Sequence, residues 1–423
     1  MSNFMLNSSS DMNGKEHEHN QNDSDNDLSH IDPIPHDLVL EILRRLPVKS
    51  LLKFQYVSKS WGSIIRSKGF INSCVSMSSE PSSRLLIYFR NGRLTNKNAE
   101  NLLFYFTSSQ DQEDESSSLV ANLNMTMASM DAYCYTRSAS VNGFICVSHK
   151  RRVMICNPST RQIITLPEIP GNDLKSGYKY LGYDPVNDQY KAMCKVLPTS
   201  EDVQEHMVLT LGGGDQEPTW RHIEGTCRKY VPITKGICID GFVYYGAMTP
   251  TPCHTDKVIV RFDVRSERLS FINLPAPAKH VHWGFTSSLI NYNGKLAHIN
   301  NTNARSYEDR HYDFVLWVLQ DAKEHRWSMR SCSFALDDSL GKVAISCQGT
   351  NKIGEIIIAP KFLPRELRPF YILYYNVESH QIRKVQLQGV GDDEGFRRCY
   401  GIGNHGDCHV YISPESGGNF TFL

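Results

Sequence analysis

Gly401-Ile402-Gly403-Asn404-His405-Gly406 has the glycine spacing of a dinucleotide-binding loop. A loop of this kind binds pyrophosphate only where it joins a strand to a helix, because the helix N-terminus supplies the N–H groups that bind the anion. The residues that follow, Asp407–Ile412, have the pattern of a strand. The glycines therefore indicate a turn, and we expect no cofactor.

His280 and His282 lie two residues apart, so on a strand they would point to the same side and could share a metal ion. A protein metal site needs at least three ligands, and the neighbouring sequence supplies no third one. Trp283 beside them indicates an aromatic surface loop instead. We predict no metal site here, and these residues become candidates for binding a partner.

Asp184 and Asp263 resemble a catalytic carboxylate pair only in residue type. Each lies in a turn, where an Asp side chain ordinarily accepts a hydrogen bond from the backbone two residues later. Trp220, Trp317 and Trp327 lie at the ends of strand-like segments and are expected in the core. Since no Ser/His/Asp or Cys/His set stands out either, we expect a protein that is not an enzyme.

The composition limits the classes of partner. The 423 residues are enough for two or three domains, and 45 basic residues balance 45 acidic ones. A neutral chain gives no general argument for nucleic acid, which requires a basic surface. We find no apolar run of about 20 residues and no secretory signal, and the twelve cysteines form no CxxC pair. We expect reduced, buried cysteines and a location in the cytoplasm and/or nucleus.

Three zones follow one another along the chain. Residues 1–30 carry six acidic residues against one lysine and almost no apolar side chains, which predicts a disordered tail. Residues 31–75 have helical periodicity. From residue 84 onward, short β-branched and aromatic runs alternate with turn residues, which predicts an all-β domain. Residues 108–118 are acidic and polar enough to be a mobile insertion within it.

The helical zone has more apolar surface than it can bury. Pro35 and Pro47 stand where helices begin, and Ser58 stands at an N-cap position before Trp61. Between the two prolines, helical spacing places four apolar residues on one face, namely Leu38, Ile42, Leu43 and Leu46. A unit of roughly 40 residues cannot enclose all its apolar side chains. We therefore predict three short helices that present a docking surface.

The β-domain repeats with a period near 50 residues. Asn142-Gly143, Asp240-Gly241 and Asn293-Gly294 predict tight hairpins at 98- and 53-residue separations, close to two periods and one. A strand, a polar turn and a closing strand recur in 156–167, 262–275, 316–327 and 374–385. Units of this length with four strands are typical of propeller blades. The fold class is therefore mainly β with a small α unit, and about six or seven blades fit into 84–423.

The string from Ile34 to Ile65 closely resembles an F-box. Family members typically carry a Leu-Pro opening, a long Leu/Ile helix, Arg-Leu-Pro-Val-Lys-Ser-Leu and Val-Ser-Lys-x-Trp. Here the corresponding segments are Ile34-Pro35, Leu38–Leu46, Arg45–Leu51 and Val57–Trp61. This chain has Ile34 in place of Leu, Tyr56 in place of Cys and Gly62 in place of a basic residue. Gly62 lowers helix propensity by up to about 1 kcal/mol, which favours fraying of the third helix.

The resemblance implies that this unit docks to a Skp-type adaptor, which links it to a cullin. The residues expected to make the contact are Ile34, Pro35, Leu38, Ile42, Leu46, Leu51, Val57 and Trp61.

The β-domain also resembles a known family. Four segments are similar to the F-box-associated domain of plant F-box proteins, which is understood as a kelch-like propeller: Val141–Cys146, Ile155–Arg161, Leu181–Tyr190 and Gly236–Gly241. Together the two resemblances imply a substrate-recognition subunit of an SCF-type cullin-RING ubiquitin ligase. Such a subunit presents a target protein for ubiquitination and performs no covalent chemistry itself.

Target contacts are expected in loops on one face of the propeller. Candidates in polar and aromatic loops are Tyr178, Lys179, His280, His282, Trp283, Arg305 and Tyr307. The loop Trp and His residues leave open a propeller that binds a glycan or small molecule which gates target choice. A copper enzyme of the galactose-oxidase kind is the other alternative, and it would need a cluster of Tyr and His.

Overall fold

The computed structural model describes residues 34–46, 48–67, 69–70, 73, 83–90, 102–110, 118–128, 139–149, 151–170, 175–197, 205–212, 217–223, 229–250, 255–279, 287–302, 311–336, 340, 343–363, 367–394 and 410–415. The predicted tail, the glycine pattern at 401–406 and most of the predicted acidic insertion lie outside them. No helix in this part of the chain is both long and apolar enough to cross a membrane.

Three short helices form the N-terminal unit: α1 (His36–Arg44), α2 (Val48–Phe54) and α3 (Lys59–Arg66). Pro35 is the N-cap of α1, and the Ser58 hydroxyl caps α3 by accepting a hydrogen bond from the Trp61 N–H at 3.1 Å. A core of five buried apolar residues holds the helices together, namely Val39, Leu43, Leu51, Ile65 and Phe70.

The remaining described strands form six sheets, with α4 (Ala276–Lys279) after the fourth. The first sheet contains β1 (Ser83–Arg90), β2 (Leu102–Gln110), β4 (Asn122–Ala128) and β25 (Val410–Glu415). The second contains β5 (Ile145–His149), β6 (Arg152–Asn157) and β7 (Gln162–Thr165). The third contains β8 (Lys175–Asp184), β9 (Gln189–Leu197), β10 (Glu205–Leu211) and β11 (Arg221–Ile223).

The fourth sheet contains β12 (Val231–Pro232), β13 (Ile237–Ile239), β14 (Phe242–Pro250), β15 (Thr255–Asp263) and β16 (Leu269–Asn273). The fifth contains β17 (Ser287–Tyr292), β18 (Lys295–Asn301), β19 (His311–Asp321) and β20 (Arg326–Ala335). The sixth contains β21 (Ile345–Thr350), β22 (Ile356–Pro360), β23 (Phe370–Tyr375), β24 (Ile382–Gln388) and β3 (Ser118–Val120).

Each sheet shares one buried apolar cluster with each of its two neighbours, and six such clusters close the sheets into a ring. In β1, Leu85, Ile87 and Phe89 belong to the cluster shared with the sixth sheet. Leu86 and Tyr88, on the other side of the strand, belong to the cluster shared with the second sheet. The sheets are therefore blades 1 to 6 of a six-bladed propeller, and the predicted fold class is confirmed.

Two strands that are distant in sequence close the ring. β25, from the end of the chain, pairs antiparallel with β1 and is the inner edge of blade 1. β3, from between β2 and β4, pairs parallel with β24 and is the outermost strand of blade 6. Blades 1 and 6 are thus joined by an exchange of strands as well as by a shared core.

The turns confirm the predicted repeat. Asp240 and Gly241 have φ angles of 44° and 79°, and the other two Asn/Asp-Gly pairs have positive φ at both residues as well. The Asp263 carboxylate accepts hydrogen bonds from the N–H groups of Arg265 (2.9 Å) and Ser266 (3.1 Å). Equivalent turns begin at Asn157, Asp321 and Asn376. The predicted structural role of Asp263 is confirmed.

Segments from blades 1, 2 and 4 meet near the propeller axis. The Ala139 N–H, just before blade 2, donates to the Gly236 carbonyl of blade 4 at 2.9 Å. The next N–H, of Ser140, donates to the Ser413 hydroxyl of β25 at 3.3 Å. Since blades 2 and 4 are separated by blade 3 in the ring, these bonds close part of the space along the axis.

Candidate functional site

Helix α1 presents apolar side chains on two sides. Val39 and Leu43 pack inward against the other helices. Leu38 and Ile42, also four residues apart, point outward with 55% and 43% of their surface exposed, and Ile34 is exposed beside them. Only one side of α1 packs into the core of the helical unit, so the apolar residues on its other side are available to a partner. We call Ile34, Leu38 and Ile42 the outer stripe.

The other predicted docking residues have different environments. Pro35 and Val57 are exposed, whereas Leu46 and Trp61 are half-buried against the core. Trp61 stacks on Phe54 with 5.2 Å between ring centroids. Leu51 is only 2% exposed, so it supports the surface from inside and offers none of its own. Docking of an adaptor to these residues stays a prediction.

Tyr56 was not among the predicted docking residues, yet it is 78% exposed at the turn between α2 and α3. An open groove of about 860 Å³ begins here, lined by Tyr56, Val57, Lys59, Gly62, Ser63, Arg66 and neighbouring turn residues. The available signal was the departure of Tyr56 and Gly62 from the family pattern.

Gly62 has a packing reason that propensity alone does not reveal. A Cβ atom at this position would lie 2.6 Å from the Gln55 carbonyl oxygen. Helix α3 continues through Gly62, whose N–H donates to the Ser58 carbonyl at 3.0 Å. Glycine therefore allows α3 to approach the end of α2 closely, and the expected fraying of the third helix stays a prediction.

The helical unit is basic although the whole chain is neutral. Residues 34–73 contain seven Lys and Arg against two Asp and Glu. In the described part of the unit, the one ion pair joins Arg45 to Glu41 at 2.7 Å. Lys53, Lys59 and Arg66 are exposed and have no ion-pair partner among the described residues. This surface favours an acidic partner.

Most propeller candidates lie outside the described residues: His280, His282, Trp283, Arg305 and Tyr307. Lys179 is buried and does not present its ammonium group at the surface. Tyr178 is half-buried, pairs with Lys195 in the β8–β9 register and packs on the apolar cluster between blades 3 and 4. Of these candidates, Tyr178 alone is both described and accessible.

Next to Tyr178, a buried polar cluster joins blades 3 and 4. The Tyr230 hydroxyl lies 2.7 Å from both His206 Nε2 and the Tyr245 hydroxyl. Lys195 Nζ donates to the Tyr230 carbonyl. Burial lowers the pKa of Lys195 to about 8, and burial together with the Lys195 charge lowers that of His206 to about 4. The cluster fixes the segment that carries Tyr230, just before β12, and its members are buried.

The predicted structural role of Asp184 is confirmed. Its carboxylate accepts from the Val186 N–H at 3.0 Å and lies 3.2 Å from the Arg265 guanidinium of the next blade. Burial alone would raise the pKa of Asp184, but Arg265, the Val186 N–H and Asn187 together lower it. Among the described residues, no three His, Cys, Asp or Glu side chains are placed to hold a metal ion.

The six described cysteines are free thiols, and five of them are buried. The three tryptophans discussed above lie where core residues were expected: Trp220 packs between blades 2 and 3, and Trp317 and Trp327 pack between blades 4 and 5. The indole N–H of Trp220 donates to the Pro167 carbonyl at 2.7 Å, and that of Trp327 to the Asn273 carbonyl at 3.0 Å. These residues serve the core.

Two family models match the two parts of this architecture. The model of the F-box associated beta propeller domain matches residues 84–412, and that of the F-box domain matches residues 31–73. An F-box protein of Arabidopsis thaliana is 46% identical over 406 residues, covering 93% of this chain and 99% of its own length. The Arabidopsis F-box protein DOR is 34% identical over 378 residues, covering 85% and 89%. The solved Dos1 propeller covers 68% of each chain at 8% identity and a TM-score of 0.35.

Proposed function

Because the chain belongs to the family of F-box proteins that carry an F-box associated beta propeller domain, we propose that it is a substrate-recognition subunit of an SCF-type cullin-RING ubiquitin ligase. Its F-box docks to a Skp-type adaptor, which connects it to a cullin. Its propeller holds a target protein near the ubiquitin-charged conjugating enzyme. The subunit itself acts by raising the local concentration of the target, without covalent chemistry.

The outer stripe of α1 is the observation that carries this proposal. Val39 and Leu43 form the side of α1 that packs into the core, whereas Leu38 and Ile42 are exposed on another side of the same helix. Exposed apolar side chains that are grouped on one face mark a site of protein association. The basic surface around the turn between α2 and α3 would add charge complementarity to an adaptor whose docking surface is acidic.

The proposal is tested by replacing both stripe residues in the full chain, as Leu38→Asp/Ile42→Asp. Burying two such side chains contributes roughly 3 kcal/mol or more, so we expect the affinity for purified adaptor to fall about a hundredfold. Isothermal titration calorimetry measures the change. The matched control is Val186→Asp, since Val186 is a similarly exposed apolar residue on a propeller turn. Unchanged affinity in the double variant would contradict the proposal.

Target recognition falls to the propeller. The contacts between blades 2, 4 and 1 close part of the axis, which favours target binding by loops around the rim. We propose that His280, His282, Trp283 and Tyr178 contribute to this binding. Affinity capture with ubiquitination blocked separates the two classes of partner. Proteins retained by the Leu38→Asp/Ile42→Asp variant are target candidates, and proteins that it loses are ligase subunits.

We also propose that the protein acts in the cytoplasm and/or nucleus, as its sequence predicts. Microscopy of a fluorescent fusion checks this location. Fluorescence confined to another compartment would contradict it.

A further inference from the structure

The groove beside Tyr56 has two chemically different walls. Tyr56 and Val57 expose apolar surface on one part of it. Lys59 and Arg66, at the two ends of α3, line the rest and have no ion-pair partner among the described residues. Gly62 lies between them and contributes no side chain, which leaves the floor open. A ligand that suits this groove carries a short apolar group and several negative charges.

The chain itself contains such a ligand immediately before α1. Residues 1–33 carry seven acidic residues and one basic residue, opposite in sign to the helical unit. This segment also contains an apolar triplet, Phe4-Met5-Leu6, followed by acidic residues from Asp11 to Asp27. Thirty residues can extend up to about 100 Å, so the segment can reach any part of the helical unit to which it is joined.

We propose that residues 4–27 bind the groove in the same molecule, with Phe4–Leu6 against Tyr56 and Val57 and the carboxylates against Lys59 and Arg66. Val57 is also one of the residues expected to contact the adaptor. The segment therefore competes with the adaptor for the F-box, a consequence that rests on the function proposed above. Acidic N-terminal residues and adaptor are alternative occupants of one surface.

The tether makes weak contacts effective, because a segment joined by a short linker acts at an effective concentration in the millimolar range. Charge attraction between exposed groups is screened within about 8 Å at physiological ionic strength. The competition should therefore be strong in low salt and weak in high salt. We expect the full chain to bind the adaptor about five- to tenfold more weakly than a chain lacking residues 1–30 in low salt, and equally well in 1 M NaCl.

The contact is tested first without any adaptor. A carbodiimide joins a carboxylate to a lysine amine only when the two are in contact, and mass spectrometry identifies the linked residues. In the full chain we expect links from Lys59 to carboxylates between Asp11 and Asp27, which disappear in 1 M NaCl. Absence of these links in low salt would overturn the proposal. Links that join isotopically distinct chains would also overturn it, since they would identify a second copy as the occupant.

The competition is tested by measuring the adaptor affinity of four proteins. These are the full chain, the chain lacking residues 1–30, and each of these two forms with Lys59→Glu/Arg66→Glu. Charge reversal changes adaptor affinity by itself. The quantity to compare is therefore the ratio of the affinities measured with and without residues 1–30. This ratio should fall to one in the charge-reversed chain. Lys323→Glu, at an exposed propeller turn, is the control and should leave the wild-type ratio unchanged. Equal affinities of the two wild-type forms in low salt would overturn the competition. If neither form binds adaptor, the proposed function fails while the cross-linking result stands.

Discussion

The ammonium nitrogen of Lys235 lies 3.4 Å from the centre of the Tyr411 ring. Lys235 precedes β13 in blade 4, whereas Tyr411 belongs to β25 in blade 1, on the opposite side of a ring of six. Tyr411 also stacks on Tyr88 of β1, with 5.1 Å between centroids. Desolvation of the ammonium group by the surrounding protein lowers the pKa of Lys235, although the residue as a whole is exposed.

We expect Tyr411→Leu to lower the free energy of unfolding by roughly 1–2 kcal/mol, since it removes both the cation–π contact and the stacking on Tyr88. Tyr411→Phe is the matched control, because it keeps the ring and should cost much less. Urea unfolding measures both. In a double-mutant cycle with Lys235→Met, a coupling energy near zero would show that the cation–π contact contributes nothing.

Gly62→Ala should destabilise the helical unit although alanine is the better helix former. The gain in helix propensity is at most about 1 kcal/mol, whereas the added Cβ would lie 2.6 Å from the Gln55 carbonyl oxygen. Forced overpacking costs about 1–3 kcal/mol. Hydrogen exchange of the α3 amides should therefore accelerate. Ser63→Ala, one residue later and exposed, is the control and should leave exchange unchanged or slower.

The parallel strand β3 is anchored by one side chain. Leu119 is 3% exposed in the core between blades 6 and 1, whereas the next residue, Val120, is 55% exposed. Leu119→Ala should lower the free energy of unfolding by about 2–4 kcal/mol, and Val120→Ala by less than about 0.5 kcal/mol. The urea midpoints of the two variants test this difference. Equal midpoints would mean that β3 does not hold the ring closed.

Acid should destabilise the propeller through two buried histidines. Burial, together with nearby lysines, lowers the pKa of His206 and His298 to about 4, whereas an unfolded histidine has a pKa near 6.5. Between these values the unfolded chain binds protons that the folded chain does not, so the free energy of unfolding falls as pH falls from 6.5 to 4. The fall approaches roughly 3 kcal/mol for each histidine. Urea unfolding from pH 7.5 to 4.5 measures it.

His206→Gln separates the two contributions. Without this imidazole, about half of the histidine-dependent loss should disappear between pH 6.5 and 4. A slope identical to that of the wild type would show that His206 does not contribute to the acid sensitivity. Asp184 and Glu267 act at lower pH, because their pKa values are lowered and their stabilisation is lost only below the ordinary pKa of a carboxylate.

Local signals in the sequence predicted much of this architecture. Asp240-Gly241 specified its hairpin because both residues tolerate positive φ, and the recurring Asx turns marked the blades. Helix α1 was harder, since Val39/Leu43 and Leu38/Ile42 form two apolar pairs with the same spacing. Periodicity placed Leu43 and Ile42 on one face, whereas packing puts one in the core and the other outside.

The pairings that close the ring had no local signal. Leu387 pairs with Leu119 although 268 residues separate them, and β3 is only three residues long. Glycine is required at position 62 by its contact with the Gln55 carbonyl, and helix propensities contain no information about such a contact. The surface position of Tyr56 follows from the turn between α2 and α3, and it became evident only in three dimensions.

The position of β25 also sets an order of events during synthesis. The ribosome releases β1 before the other described strands, whereas the strand that covers its inner edge emerges after all of them. Until then, β1 has an open edge of the kind that promotes pairing with other chains. The helical unit, by contrast, is complete after the first 75 residues. A nascent or truncated chain can therefore have a folded helical unit while its propeller is still open. Such a chain is a natural substrate for chaperones.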